Sequence, residues 1–173
     1  LAVEWFRKAA IQGLPDAQCA LGSVYFFGNG VLKDPKEAFQ WYKKAAEKNH
    51  LLGMFHLAAC YANGVGVKQD YKQAVQLWQK LADKNEPNSQ FALATSYYMG
   101  QGVEKDVNKA FGYFKKAANQ GHVMAQFNLG FCYMKGEGVI SNTTEAKLWF
   151  EKAASAGVPQ AQQALQSMSD NSL

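Results

Sequence analysis

The chain has 173 residues, 48% hydrophobic and 18% charged, with 18 basic and 14 acidic side chains and a net charge of +4. That balance supports a globular core and excludes intrinsic disorder, and charges this nearly equal give no electrostatic reason to expect nucleic acid. No apolar run approaches the roughly 20 residues of a membrane helix, and no signal peptide is legible.

Residues 1–14 read as helix from the start, beginning at Leu1 rather than Met. The expectation is that the natural N-terminus, with any targeting segment, lies upstream. This stretch is the second helix of a half repeat, because its Ala10 opens a column that returns every 36 residues at Ala46, Ala82, Ala118 and Ala154. Internal periodicity of this kind marks a repeat architecture. The first full unit spans 15–50. Its first helix, AQCALGSVYFFG, puts Ala17, Leu21, Tyr25 and Gly28 on one face at helical spacing. Gly28-x-Gly30-Val31 breaks it. The second helix starts at Asp34-Pro35, an N-cap followed by proline in the first turn. It runs through EAFQWYKKAAEK, carries Trp41 as a large core aromatic, and stops at Asn49, a residue type suited to a left-handed cap.

The units 51–86, 87–122 and 123–158 repeat this plan without insertion or deletion. Leu21, Leu57, Leu93, Leu129 and Leu165 share a column, as do Tyr25, Tyr61, Tyr97 and Tyr133. The turn glycines recur as Gly64 and Gly66, Gly100 and Gly102, Gly136 and Gly138. The cap column holds Asp34, Asp70, Asp106 and Asn142, and Asp34 with Glu37 and Asn142 with Glu145 have capping-box spacing. Second helices end at Asn49, Asn85, Gly121 and Gly157. Residues 159–173 read as a C-terminal capping helix, with polar Gln166 and Ser169 in place of the usual glycine and tyrosine, so the array is expected to end there. Stacking such hairpins buries faces that one hairpin alone cannot bury. The expected fold is all-α: a single domain, 1–173, wound as a right-handed α-solenoid of four full repeats with a half repeat at each end, ten helices in five antiparallel layers.

The segments AQCALGSVYFFGNGVLKDPKEAFQWYKKAA and AQFNLGFCYMKGEGVISNTTEAKLWFEKAA resemble the Sel1-like repeat, a relative of the tetratricopeptide repeat, and the resemblance covers essentially the whole chain. It implies an adaptor or scaffold, of a kind often found in bacteria and at host or envelope interfaces, without cofactor or catalysis. One bacterial branch of this family is cysteine-rich, with two cysteines seven residues apart pinning each hairpin, and β-lactam binding has been suggested for it. Here Cys19, Cys60 and Cys132 have no partner at that spacing, so neither property carries over. Three free thiols are expected, Cys19 on the groove and the other two facing inward. The compartment stays open: the resemblance allows a secreted or periplasmic setting, and unpaired cysteines also suit the cytoplasm.

The bland readings hold for several features. The Gly-x-Gly loops lack the strand and full spacing of a phosphate cradle, so they read as turns. His50 and His122 share a column at the end of the second helix, where a positive charge suits the helix dipole. Asn142 fits a glycosylation acceptor but fills the cap column. Lys8, Lys44, Lys80, Lys116 and Lys152 form a ladder on the second helices that reads as a solvated convex face. No metal-ligand spacing and no nucleophile–base pair is legible.

The informative surface is the outward side of the first helices, which would line a concave groove. Its expected binding residues are Phe26, Phe27, Phe55, His56, Asn63, Phe91, Thr95, Tyr98, Met99, Phe127, Asn128, Phe131, Met134 and Lys135. Aromatic residues and methionines dominate this set, and several vary between repeats where structure alone demands them less. Such a stripe suits a peptide or helix of a partner protein. Neither nucleic acid nor membrane insertion is expected. Either end-to-end stacking through the N-terminal half repeat or its cover by upstream sequence is, because Trp5 and Phe6 there lack the neighbours of their equivalents. The competing reading is a small-molecule or cell-wall-fragment binder, or an enzyme, of the cysteine-rich branch.

Overall fold

A helix forms where the sequence supplies an apolar face and, at its start, a capping side chain or a first-turn proline, and the repeat supplies these in turn along the chain. The computed structural model describes residues 2–170. Among them are α1 (Ala2–Ile11), α2 (Pro15–Phe27), α3 (Pro35–Glu47), α4 (Leu51–Asn63), α5 (Tyr71–Ala82), α6 (Pro87–Met99), α7 (Val107–Asn119), α8 (Val123–Lys135), α9 (Thr143–Ser155) and α10 (Pro159–Asp170), and no strand. Leu1 of the half repeat and residues 171–173 of the expected capping helix lie outside the described residues.

The second helices are capped as the sequence implies. Asp34 accepts from the amides of Lys36 and Glu37, Asp70 from Lys72 and Gln73, Asp106 from Asn108 and Lys109, and Asn142 from Glu145. The reciprocal half of a capping box is not what occupies the cap amide. The N–H of Asp34 instead donates to Tyr25 O at 2.9 Å, and those of Asp70, Asp106 and Asn142 donate to Tyr61, Tyr97 and Tyr133 in the same way. The cap thereby ties each second helix back onto the tyrosine turn of the first. Asn49 and Asn85 end α3 and α5 with φ of 58° and 64°, the left-handed conformation expected there.

The second glycine of the turn answers a steric demand. A Cβ on Gly66 would strike the carbonyl oxygen of Pro35 one repeat earlier, and one on Gly138 would strike that of Val107. Both residues also have positive φ, 70° and 72°, so any other residue would be strained twice over.

The contacts divide the chain into two compact units, residues 1–81 and 82–173, each with its own core. In the first unit, α2 packs on α1 and α3, and α3 on α4. Cys19, Ala38, Phe39, Tyr42, Ala45, Leu57 and Cys60 form one buried cluster, and Ala10, Ala17 and Leu21 another. In the second unit, α6, α7, α8, α9 and α10 pack successively. Phe114, Leu129, Cys132 and Trp149 are the larger members of one cluster there, and Phe150 and Val158 of another. Leu21, Leu93 and Leu129 are wholly shielded from solvent, each contributing about 1.5–3 kcal/mol of burial.

The aromatic column of the second helices is buried one residue later than the sequence suggested. Trp41, Leu77 and Tyr113 are half-buried, whereas Tyr42, Trp78 and Phe114 are at most 9% exposed; in the last repeat both columns are buried, Trp149 at 7% and Phe150 fully. The earlier column instead carries the lysine ladder. Lys44 lies 4.0 Å over the Trp41 ring, Lys116 5.2 Å over Tyr113, Lys152 3.9 Å over Trp149 and Lys8 5.4 Å over Trp5. A residue three places on sits one turn above, so each ammonium reaches the ring face while its stem covers apolar surface.

Candidate functional site

Glycine at position 22 lets the Tyr42 ring come close to α2; a Cβ there would lie 2.7 Å from it. The Tyr42 hydroxyl lies 3.1 Å from Ser23 Oγ, and its ring stacks on His56 of α4 with centroids 4.8 Å apart and planes at 27°. Phe26 and Phe27, at the end of α2, meet edge to face at 4.9 Å. Together with Ala59, Cys60, Asn63 and Val65 these residues enclose a cavity of about 230 Å³ in the first unit. Its walls are apolar. Asn63 donates to Ala59 O at 2.9 Å, which uses one of its two amide hydrogens. Burial, reinforced by His50, holds the His56 pKa below its ordinary 6.5, so this imidazole is neutral at pH 7.

A second cavity, about 290 Å³, lies in the second unit between α6, α7 and α8. Thr95, Tyr98, Met99, Phe114, Phe127, Asn128, Phe131 and Cys132 line it. Thr95 donates to Phe91 O at 3.1 Å, and Glu137, by hydrogen bond and charge, raises the Tyr98 pKa. Lys105 lies 5.7 Å over the Tyr98 ring and Lys135 6.0 Å over Phe131. At the first cavity Lys33 stands 5.7 Å over Phe26.

Ten of the fourteen residues singled out on the first helices line these cavities. Phe26, Phe27, His56 and Asn63 belong to the first, and Thr95, Tyr98, Met99, Phe127, Asn128 and Phe131 to the second. The other four do not. Phe55 sits half-buried beside His56, its ring centroid 6.0 Å away. Phe91 stacks on His122 at 4.4 Å and packs on Phe114 at 5.9 Å, a packing role. Met134 packs against the Phe150 cluster, and Lys135 is exposed beside Phe131.

Tyr42, Phe114, Val65, Cys60 and Cys132 line the cavities without having been assigned to the groove. The all-aromatic column 42, 78, 114, 150 was the available signal for the first two. Cys19, expected on the groove, is instead 3% exposed in the core with Phe39 and Tyr42, because α3 covers that side of α2. All three thiols are buried and unpaired. Burial pushes Cys19 and Cys60 up to about 11 and Cys132 to about 12, so each is a protonated, unreactive thiol near neutral pH.

His50 and His122 also differ from expectation. Each is the N-cap of the following first helix, its Nδ1 accepting the amide of Gly53 or Ala125 at 3.1 Å. An accepting nitrogen carries no proton, so these caps call for neutral rings rather than positive ones.

Among the described residues no group of three or more His, Cys, Asp or Glu is arranged to hold a metal ion, and no helix is long and apolar enough to cross a membrane.

The Sel1 repeat profile matches residues 1–14, 15–50, 51–86, 87–122 and 123–158. Over 99% of its length the chain resembles a protective antigen of uropathogenic Escherichia coli strains displaying an SLR fold, with 36% identity and a TM-score of 0.95 over 37% of that protein. A Sel1 repeat protein from Oxalobacter formigenes is 35% identical, with a TM-score of 0.84, over 96% of this chain and 49% of that one. Helicobacter pylori cysteine rich protein B is 31% identical, with a TM-score of 0.60, over 77% of this chain and 96% of its own. The chain thus spans less than half the length of the first two. Comparison with curated protein sequences gave no significant match.

Proposed function

The chain belongs to the Sel1 repeat family, an α-solenoid family whose members generally serve as protein-interaction scaffolds, and from that premise we propose that it binds a peptide segment or helix of a partner protein on the face of its first helices. The observation that carries this reading is the pair of apolar cavities, both lined by the first-helix columns and each floored by a buried aromatic of a second helix. Exposed apolar side chains at their mouths, Phe27 at 67% and Met99 at 61%, have no structural need for exposure and suit burial by a partner. The lysine ladder competes poorly as the binding face, since none of its five members lines either cavity.

The test is calorimetric titration of the partner, once captured, against folded variants. Tyr98→Ala and Phe131→Ala are expected to weaken binding about thirty-fold each, as loss of a buried aromatic anchor costs about 2 kcal/mol. Lys44→Ala and Lys116→Ala should bind normally. The opposite pattern would move the binding site to the ladder.

A further inference from the structure

The two cavities are built from the same columns two repeats apart. Tyr98 stands where Phe26 does, Phe114 where Tyr42 does, Asn128 where His56 does and Cys132 where Cys60 does. Each therefore has an aromatic wall and floor, plus one polar side chain on a shared column. His56 and Asn128 are both half-buried, and neither makes a hydrogen bond with a described residue. Each cavity also has a lysine on a shared column at its edge, and the second has two further charged groups there, Lys135 over Phe131 and Glu137 hydrogen-bonded to Tyr98, which leave its edge with one net positive charge. Lys33 and Lys105 stand at the same 5.7 Å over the wall rings Phe26 and Tyr98, and neither takes part in an ion pair with a described residue.

These features select an occupant. At about 230 and 290 Å³ the cavities fall below the roughly 300–1,000 Å³ of small-molecule sites, and fit a single large side chain. A half-buried polar group left without a partner by an apolar occupant costs about 1–3 kcal/mol, so the occupant needs a hydrogen-bonding edge as well as an apolar body. Tyrosine and tryptophan have both. An unpaired ammonium at the mouth favours a carboxylate beside that ring, and the neutral His56 adds no competing charge.

We propose that each cavity receives one tyrosine or tryptophan side chain of an acidic peptide segment, its ring on the aromatic wall, its polar edge bonded to His56 or Asn128, and a neighbouring carboxylate facing Lys33 or Lys105. This rests on the protein-interaction reading above and names the chemistry of its partner.

The experiment uses the isotope-labelled chain, nuclear magnetic resonance and three synthetic peptides at low ionic strength. They are acetyl-Glu-Asp-Trp-Asp-Glu-amide, the same peptide with alanine for tryptophan, and acetyl-Lys-Lys-Trp-Lys-Lys-amide. The acidic tryptophan peptide is expected to shift the Asn128 side-chain amide and the backbone amides around both cavities. The alanine peptide should lose those shifts, and the basic peptide should bind at least about tenfold more weakly. Lys33→Glu with Lys105→Glu, both at exposed positions and so harmless to folding, should reverse that preference. Equal binding of both charge types in the cavities would overturn the acidic partner while leaving the interaction reading intact. Shifts confined to Lys44, Lys80, Lys116 and Lys152, or no shift with any peptide, would overturn the proposal. The interaction reading itself is judged separately, by the Tyr98 and Phe131 variants and the natural partner.

Discussion

His50 Nε2 lies 2.8 Å from Asp16 Oδ1, while its Nδ1 accepts the amide of Gly53, so one ring both caps α4 and ties it to the first turn of α2. With Nδ1 accepting, the single proton of the neutral ring sits on Nε2 and is donated to the carboxylate. The cap is the stronger element, because Asp16 is 94% exposed at its side chain and its attraction is screened. His50→Ala is expected to cost about 1 kcal/mol, as for other lost N-caps, and Asp16→Asn less than about 0.5 kcal/mol. Urea unfolding of the two variants checks the order; a larger loss for Asp16→Asn would make the hydrogen bond to the carboxylate, not the cap, the important contact.

Acid should loosen the second unit at His122. Its Nδ1 caps α8, its ring stacks on Phe91, and burial holds its pKa below the ordinary 6.5. The unfolded chain then binds the proton more readily than the folded one. Stability from this group is therefore complete above about pH 6.5, declines as pH falls below it, and levels off once the folded pKa is passed. His122→Ser keeps a capping oxygen and removes the titration. It should flatten the pH dependence of unfolding between about pH 7 and 5, leaving the slope due to His56, whose pKa is also lowered. An unchanged slope would exclude His122 as its source.

Phe150 is fully buried and Trp41 only partly so. Phe150→Ala is expected to cost about 3–5 kcal/mol, the range for a core aromatic, and Trp41→Ala clearly less. Thermal or urea unfolding decides, and a reversed order would place the true core column at 41.

A thiol reagent near pH 8 should find no reactive cysteine in the folded chain and three after unfolding. The pKa values of about 11, 11 and 12 leave almost no thiolate, and burial blocks access. Rapid labelling of native protein would show that a cavity opens far enough to expose Cys60 or Cys132.

α1 presents Trp5 at 66% and Ile11 at 70% exposure, with Leu14 just beyond it at 53%. An apolar surface of this kind favours contact with a second copy, and the chain is expected to associate through it at high concentration. Sedimentation equilibrium should show a dimer that Trp5→Lys and Ile11→Lys abolish; a monomer throughout would count against stacking.

Repeat length, helix limits, the Asp and Asn caps of the second helices and the turn glycines were legible in the sequence, because each depends on a local rule: a capping side chain, a proline in the first turn, a positive φ. The same periodicity led to the first-helix face, and ten of its residues do line the cavities. What only tertiary structure decided was rotation and neighbourhood. Columns 41 and 42 are both aromatic in three of the four repeats, and pattern cannot say which is inside; the close approach permitted by Gly22 and Gly130 seats Tyr42 and Phe150 there. Cys19 looked outward on an isolated helix and is buried because α3 covers it. His50 and His122 lie three residues past the end of one helix and at the cap of the next, and only the position of their nitrogens against Gly53 and Ala125 shows which helix they serve. Local chemistry sets where helices begin and end, whereas the packing of one repeat on the next determines which of two adjacent side chains faces the core and which does not.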